Sequence, residues 1–302
     1  MDKTNAPHRI LIIGCDGQLG FELQRTLPLL GNVIAIDFPQ IDLANLNQVR
    51  ETVQLYSPQI IVNAAAYTNV DQAESEPDIA MKINGLAPGV LAEEAQISRA
   101  VMIHYSTDYV FDGEKGSAYR EEDKPNPLNI YGISKLAGEN SIKQVDGNYL
   151  IFRTSWLYSL HTNSFVTKVL DWSRKQKVMR VVADQVGSPT WSRMLAEATA
   201  YVLAQAVSTG DINTYFKTYR GLYHLAGDGE ISRYEFAKAI LEYDSKIGER
   251  IVQEIQPALT SEFSTPAQRP LFSALNCDLA YSKFKIKLPP WKQTLRLAMS
   301  HA

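Results

Sequence analysis

A doubly wound parallel α/β sheet, followed by a smaller C-terminal α+β lobe, is the fold class this sequence predicts. Three observations carry that expectation. Short apolar runs rich in β-branched residues alternate with helical stripes from Arg9 to Val182. A glycine-rich turn, Gly14 to Gly20, joins the first of those runs to the first helix. From Gly187 onward the alternation gives way to separate helices and short strands.

Taken in order, Arg9–Ile13 reads as a strand buried on both faces. It runs into Gly14-Cys15-Asp16-Gly17-Gln18-Leu19-Gly20 and then into a helix whose apolar stripe is Leu19, Leu23, Leu27 and Leu30. Val33–Ile36 is a second strand, closing on Asp37. A helix through Leu46, Val49, Val53 and Leu55 breaks at Ser57-Pro58. Ile60–Ala66 is a third strand that ends on small residues, and Thr68 to Asp71 would cap one long helix running through Ala73, Ala80, Ile83, Leu86, Leu91 and Ala95. Val101–Tyr105 is the fourth strand, delivering Ser106, Thr107, Asp108 and Tyr109 to the same edge, and its His104 reads as a core histidine. The stretch from Asp112 to Pro127, with two glycines and two prolines, is an exposed excursion leading into the helix of Tyr131. Tyr149–Arg153 is the fifth strand and Val178–Val182 the sixth.

Beyond Gly187, helices are expected at 193–206, at 233–243 behind the capping box Ser232/Glu235, and at 290–299. Short strands are expected at Tyr223–Leu225 and Ile251–Ile255, and 257–273 should be irregular. The division is therefore a dinucleotide-binding domain over 1–186 and a mainly substrate-binding lobe over 187–302, with segments of the latter able to return to the first domain. Ligands of such open sheets gather outside the carboxyl ends of the strands.

Composition narrows the partners. The chain has 302 residues, 45% hydrophobic and 21% charged, enough for a substantial core. A net charge of -3 with both signs interspersed gives no footprint for nucleic acid or an anionic membrane. Met1–Arg9 is polar and no apolar run is long enough to span a bilayer, so a cytoplasmic protein without a membrane partner is expected. Two isolated cysteines fit a reducing compartment. The five histidines lack metal-ligand spacing, so no catalytic metal is expected.

Two stretches carry the chemistry. Glycines at 14, 17 and 20 between a buried strand and a helix let backbone amides approach a pyrophosphate, and Asp37 can accept hydrogen bonds from an adenosine ribose while repelling a 2′-phosphate. Tyr131 and Lys135 share a helix face, where an ammonium near a phenol would lower the phenol's proton affinity toward neutrality. A hydroxyl from Ser106 or Thr107 completes a set suited to a carbonyl or an alcohol.

This order of motifs resembles the extended, Rossmann-like branch of the short-chain dehydrogenase/reductase superfamily. Val62-Asn63-Ala64-Ala65-Ala66-Tyr67-Thr68, Tyr105-Ser106-Thr107-Asp108-Tyr109-Val110-Phe111, Asn129-Ile130-Tyr131-Gly132, Phe152-Arg153-Thr154-Ser155-Trp156 and Arg269-Pro270 with Ser273 are similar to the dTDP-4-dehydrorhamnose reductases within it. The resemblance covers the chain from Arg9. It implies reduction of the C4 ketone of a dTDP-4-keto-6-deoxy sugar by NADH or NADPH, the last step in making dTDP-L-rhamnose for cell-surface polysaccharide. It implies catalytic roles for Thr107, Tyr131 and Lys135, with Tyr109 tuning Tyr131. It implies cofactor contacts at Gly17, Gln18, Leu19, Asp37, Ala66, Tyr67, Thr68, Tyr105, Tyr131 and Lys135, beside Gly14 and Gly20, and substrate contacts at Thr107, Asp108 and Trp156. Arg269 offers a fork of donors suited to the diphosphate. Some members carry Mg²⁺ between glutamates of two protomers; here Glu22 fits one position but Arg193 follows Pro189-Thr190, and an arginine cannot ligate Mg²⁺. A monomer or a homodimer is expected. Other readings are a reductase of another 4-keto-6-deoxy sugar, or a non-enzymatic regulatory subunit resembling that of methionine adenosyltransferase.

Overall fold

The computed structural model describes residues 7–300, so residues 1–6 of the polar Met1–Arg9 stretch and residues 301–302 lie outside it. Six parallel strands form the main sheet: β1 (His8–Ile13), β2 (Gly31–Ile36), β3 (Ile60–Asn63), β4 (Val101–Thr107), β5 (Tyr149–Thr154) and β10 (Gly221–His224), in the order β2-β1-β3-β4-β5-β10. The order reverses after β2, and the gap between the carboxyl ends of β1 and β3 is the natural place for a ligand. Strands β3 and β4 are buried along their whole length, as their unbroken apolar runs require.

Helices cover both faces. One face carries α1 (Gln18–Thr26), α8 (Ser192–Ser208) and α9 (Ile212–Tyr219), whose apolar sides close over Ile10, Ile12, Val62, Ile103 and Phe152. The other carries α2 (Leu46–Tyr56), α5 (Ala87–Ser98) and α6 (Ile130–Val145), over Leu11, Ile13, Ile61, Met102 and Ile151. Successive strand residues point to opposite faces, so each strand feeds both cores.

Two expected elements differ. The single long helix after Thr68 is instead α3 (Val70–Ala73), α4 (Pro77–Ala80), a π-helical turn Met81–Leu86, and then α5. Pro77 and Pro88, both at helix starts, cannot donate into a preceding turn, so the helix restarts at each. Asn69 does cap the first piece, accepting from the Gln72 amide. The sixth strand of the sheet is β10 rather than β7 (Val178–Val182), which pairs in parallel with β12 (Glu254–Ala258) apart from the main sheet. Only non-local pairing separates those two candidates.

The remaining chain packs as a second lobe. It comprises β6 (Leu157–Tyr158), α7 (Phe165–Lys175), β8 (Val186–Gly187), β9 (Thr190–Trp191), β11 (Ile231–Ser232), α10 (Arg233–Glu242), α11 (Asp278–Phe284) and α12 (Trp291–Met299). Much of it surrounds a core of Tyr158, Val166, Met179, Phe236, Ile240 and Leu295, while α11 packs on the main sheet through Phe284. Among the described residues no helix is long and apolar enough to cross a membrane.

A buried ion pair locks α6 to the sheet. Arg153 of β5 donates to both carboxylate oxygens of Glu139, at 2.7 Å each, with both side chains almost wholly out of solvent. Ser106 of β4 donates to the same carboxylate at 2.6 Å. Arg153→Met would strand the Glu139 charge, and the loss should be about 3–5 kcal/mol of stability, read as a lower urea midpoint. Adding Glu139→Gln should recover part of it; a single variant that unfolds at the wild-type midpoint would show the pair to be dispensable.

Candidate active site

A cleft of about 610 Å³ opens where the carboxyl ends of β1, β3 and β4 meet the second lobe. Its floor begins at the glycine turn. Gly14 has φ +87°, and a Cβ there would lie 2.5 Å from the Ala65 amide nitrogen, so only glycine fits. Gly14 and Cys15 amides donate to the Ile36 carbonyl, which holds the turn against β2. Helix α1 then starts behind Gly17 with no side-chain cap, leaving its first amides for an anion. The Gln18 Oε1 is buried there without a partner. Free helix amides and the small residues Ala64–Ala66 together fit the pyrophosphate end of a dinucleotide.

At the adenosine end, the Asp37 carboxylate accepts from the Asp16 amide at 3.0 Å and from the Phe38 amide at 2.9 Å, and both acids line the cleft. Cys15, Asp16 and Asp37 approach closely enough to suggest a cation site. Burial and the Asp16 charge push the Cys15 thiol up to about 11.

The reactive end lies under α6. Asn129 caps that helix, accepting from the Gly132 amide at 2.8 Å, which fixes the first turn and with it Tyr131. Strand alternation decides between the two hydroxyls of β4: Ser106 turns to Glu139, while Thr107 faces the Tyr131 phenol. Thr107 also accepts from the Tyr109 amide and donates to Asp108 at 3.0 Å. Asp108 is a buried clip. Its carboxylate takes Ser155 of the segment after β5 at 2.8 Å and Ser273 of the second lobe at 2.6 Å, and burial raises its proton affinity.

Lys135 is fully enclosed. Its Nζ donates to the Tyr105 carbonyl at 2.6 Å and lies 3.4 Å from His104 Nε2. Burial lowers it to about 8, against the pull of Glu139. Burial moves Tyr131 the other way, well above the usual phenol range, although its ring remains partly exposed at the wall. Against the expectation that Lys135 lowers the Tyr131 phenol, burial is the largest influence on that phenol and raises it, while the Lys135 Nζ donates to the Tyr105 carbonyl.

The second lobe supplies the far wall. Trp156, at φ +43°, lays its indole against Gly187, where a Cβ would come within 2.4 Å of the ring. The guanidinium of Arg233 stacks on the same ring, 3.6 Å from its centroid. Sequence reasoning missed Arg233 as a cleft residue. Its only local signal was its place as the first residue of a helix after the cap Ser232.

Of the residues expected at the site, Gly14, Gly17, Gln18, Leu19, Asp37, Ala66, Thr68, Tyr105, Thr107, Asp108, Tyr131, Lys135 and Trp156 line the cleft. Gly20 lies beneath it, where a Cβ would collide with the Gly14 carbonyl at 1.9 Å. Tyr67 turns its hydroxyl to Glu76 at 2.6 Å, while its amide donates to Asn84. Arg269 pairs with Asp71 at 2.8 Å and also reaches Tyr109 of the cleft wall. Elsewhere, buried Glu22 faces Arg193 at 3.3 Å, so an internal cation stands where the resemblance would set a metal ligand.

Gly187→Ala should tilt Trp156 out of place and with it Arg233. The expected outcome is a change in tryptophan fluorescence with little change in the urea midpoint; an unchanged spectrum would show that the ring is not held by that glycine.

The comparisons with known proteins agree with one another. The family model described as "RmlD substrate binding domain" matches residues 8–302. The dTDP-4-dehydrorhamnose reductase of Burkholderia thailandensis is 38% identical over 294 residues, covering 96% of this chain and 98% of that protein. The enzyme of the same name from Escherichia coli is 40% identical, covering 94% of each. A crystal structure of dTDP-4-dehydrorhamnose reductase from Bacillus anthracis, in complex with NADP, superposes with a TM-score of 0.87 at 35% identity, covering 98% of this chain and 100% of that one. From the first strand of its sheet to its last helix, then, this chain belongs to the dTDP-4-dehydrorhamnose reductase family.

Proposed function

We infer that this protein is a dTDP-4-dehydrorhamnose reductase, reducing the C4 ketone of dTDP-4-dehydro-β-L-rhamnose to dTDP-β-L-rhamnose with NADH or NADPH, the final step in making that sugar nucleotide. The observation that carries the reading is the gathering of Thr107, Tyr131 and Lys135 in the cleft floored by the glycine turn. When bound there, the reduced nicotinamide supplies the hydride. Tyr131, kept neutral by burial, gives its proton to the C4 oxygen. Thr107 rotates its hydroxyl from Asp108 to the same oxygen, and the Lys135 ammonium stabilises the phenolate left behind. Asp108 acts through Thr107, holding it at the mouth of the two lobes.

Residues 1–186 are assigned mainly to the dinucleotide and 187–302 mainly to the sugar nucleotide. Trp156 offers an apolar wall to the sugar ring. Arg233 supplies positive charge on the cleft wall for the diphosphate, beside Arg269, which pairs with Asp71 and reaches the same Tyr109. We assign the reaction to the cytoplasm, from the composition and the isolated cysteines, in a monomer or homodimer.

The test of the whole reading is product analysis by NMR after incubation with dTDP-4-dehydro-L-rhamnose and reduced cofactor. Formation of dTDP-L-rhamnose supports it; turnover of a different 4-keto sugar alone overturns it. Tyr131→Phe keeps the ring and removes the proton, and kcat should fall roughly 10²–10⁴-fold. Near wild-type turnover by that variant would remove Tyr131 from the acid's role. At the adenosine end, Asp37→Ala should raise kcat/KM for NADPH relative to NADH by about tenfold or more, as a repelled 2′-phosphate becomes tolerated. An unchanged ratio would take Asp37 out of the ribose site.

A further inference from the structure

His104 lies inside β4, with no exposed surface, and belongs to none of the groups assigned above. Its surroundings determine which of its nitrogens carries the proton. Asn63, at the end of β3, accepts from the Ala65 amide through Oδ1 at 3.2 Å. A flipped amide would set two donors against each other there, so Asn63 must present its NH₂ to the ring, and that NH₂ lies 3.1 Å from His104 Nδ1. Nδ1 is then an acceptor. The neutral ring carries its proton on Nε2, and Nε2 is the atom 3.4 Å from Lys135 Nζ. Burial holds His104 well below the ordinary histidine range, which favours the neutral ring.

An Nε2–H aimed at an ammonium is a contact between two donors. Aimed at a neutral amine, it is a hydrogen bond to the nitrogen lone pair. The neighbours of Lys135 therefore act in opposite senses. On its own helix, Glu139 favours the cation, although Arg153 from β5 already answers that carboxylate; Tyr131 lies one turn earlier. From β4, the Tyr105 carbonyl accepts from Nζ in either state, and His104 favours the neutral amine. From the π-helical turn, Asn84 reaches only Ser134 on this helix.

We propose that His104, with its tautomer set by Asn63, is a positioning residue for the reduction, opposing protonation of Lys135 and thereby setting the pH above which the ammonium is lost. The inference rests on the role given to Lys135 above. The sign follows from that role: an ammonium needed for activity and held at about 8 makes kcat/KM fall as pH rises through that value. Removing the opposing N–H strengthens the cation and moves the fall to higher pH.

The measurement is kcat/KM at limiting NADPH against pH, which reports groups of the free enzyme. The basic limb of the wild type should lie near 8. In His104→Gln, whose amide oxygen can accept from Lys135, it should rise by about one pH unit or more. His104→Phe, which keeps a ring and loses both nitrogens, should also move it upward. A merely structural role would lower activity without moving the limb, so an unmoved or lowered limb in either folded variant overturns the proposal. If neither variant folds, nitrogen NMR of the wild-type protein labelled at histidine decides. An Nε2–H tautomer whose nitrogen shifts follow the Lys135 titration is expected, and an Nδ1–H tautomer overturns it. Failure of the functional reading is separable: it would show as full activity in Lys135→Met, whatever the histidine variants do.

Discussion

Glu139 sits on the face of α6 that meets the sheet, and its charge, removed from solvent, must be answered within the fold. Arg153 answers it from β5, and Ser106 adds a hydroxyl from β4. The same helix carries Tyr131 and Lys135, so the pair fixes where both reach the cleft. Arg153 in turn lies over the Phe111 ring and beside His224 of β10, joining the last strand of the sheet to the same cluster. A helix held by apolar contacts alone could slide by fractions of an ångström. One held by a forked ion pair has a single register.

Desolvation does most of the electrostatic work in the cleft, and it acts with opposite signs on an acid and a base. It raises the phenol of Tyr131 and lowers the ammonium of Lys135. A neutral phenol keeps a proton to give. An ammonium of reduced stability, enclosed by the Tyr105 carbonyl and His104, stands one helical turn from that phenol. Asp108 extends this order to the second lobe by gathering hydroxyls of Thr107, Ser155 and Ser273. The hydroxyl facing Tyr131 is thereby tied to the contact between the two lobes.

Much of this was legible in the sequence because it is local. The glycine turn between strand and helix, the caps at Asn69 and Ser232, and the shared helix face of Tyr131 and Lys135 depend on residues a few positions apart. The five N-terminal strands of the sheet announce themselves by buried apolar runs. The breaks at Pro77 and Pro88 were legible too, but an apolar stripe running through them read as one helix.

What only the tertiary structure decided is what depends on partners far along the chain. β10 and β7 are both short apolar runs, and nothing within either says which pairs with β5. Arg269 and Arg233 are both arginines of the second lobe; Asp71 pairs with the first, the Trp156 ring stacks with the second, and both reach Tyr109 of the cleft wall. The proton affinities of Tyr131 and Lys135 follow from burial by elements distant in sequence, which spacing on a helix cannot reveal. The sequence by itself determined the alternation of strands and helices, the turn suited to a pyrophosphate and the residues able to move a proton, because those are properties of neighbours. The fold alone decided which of these groups meet, and how dry the place is where they meet, because distances across the core are set by packing and not by the order of residues.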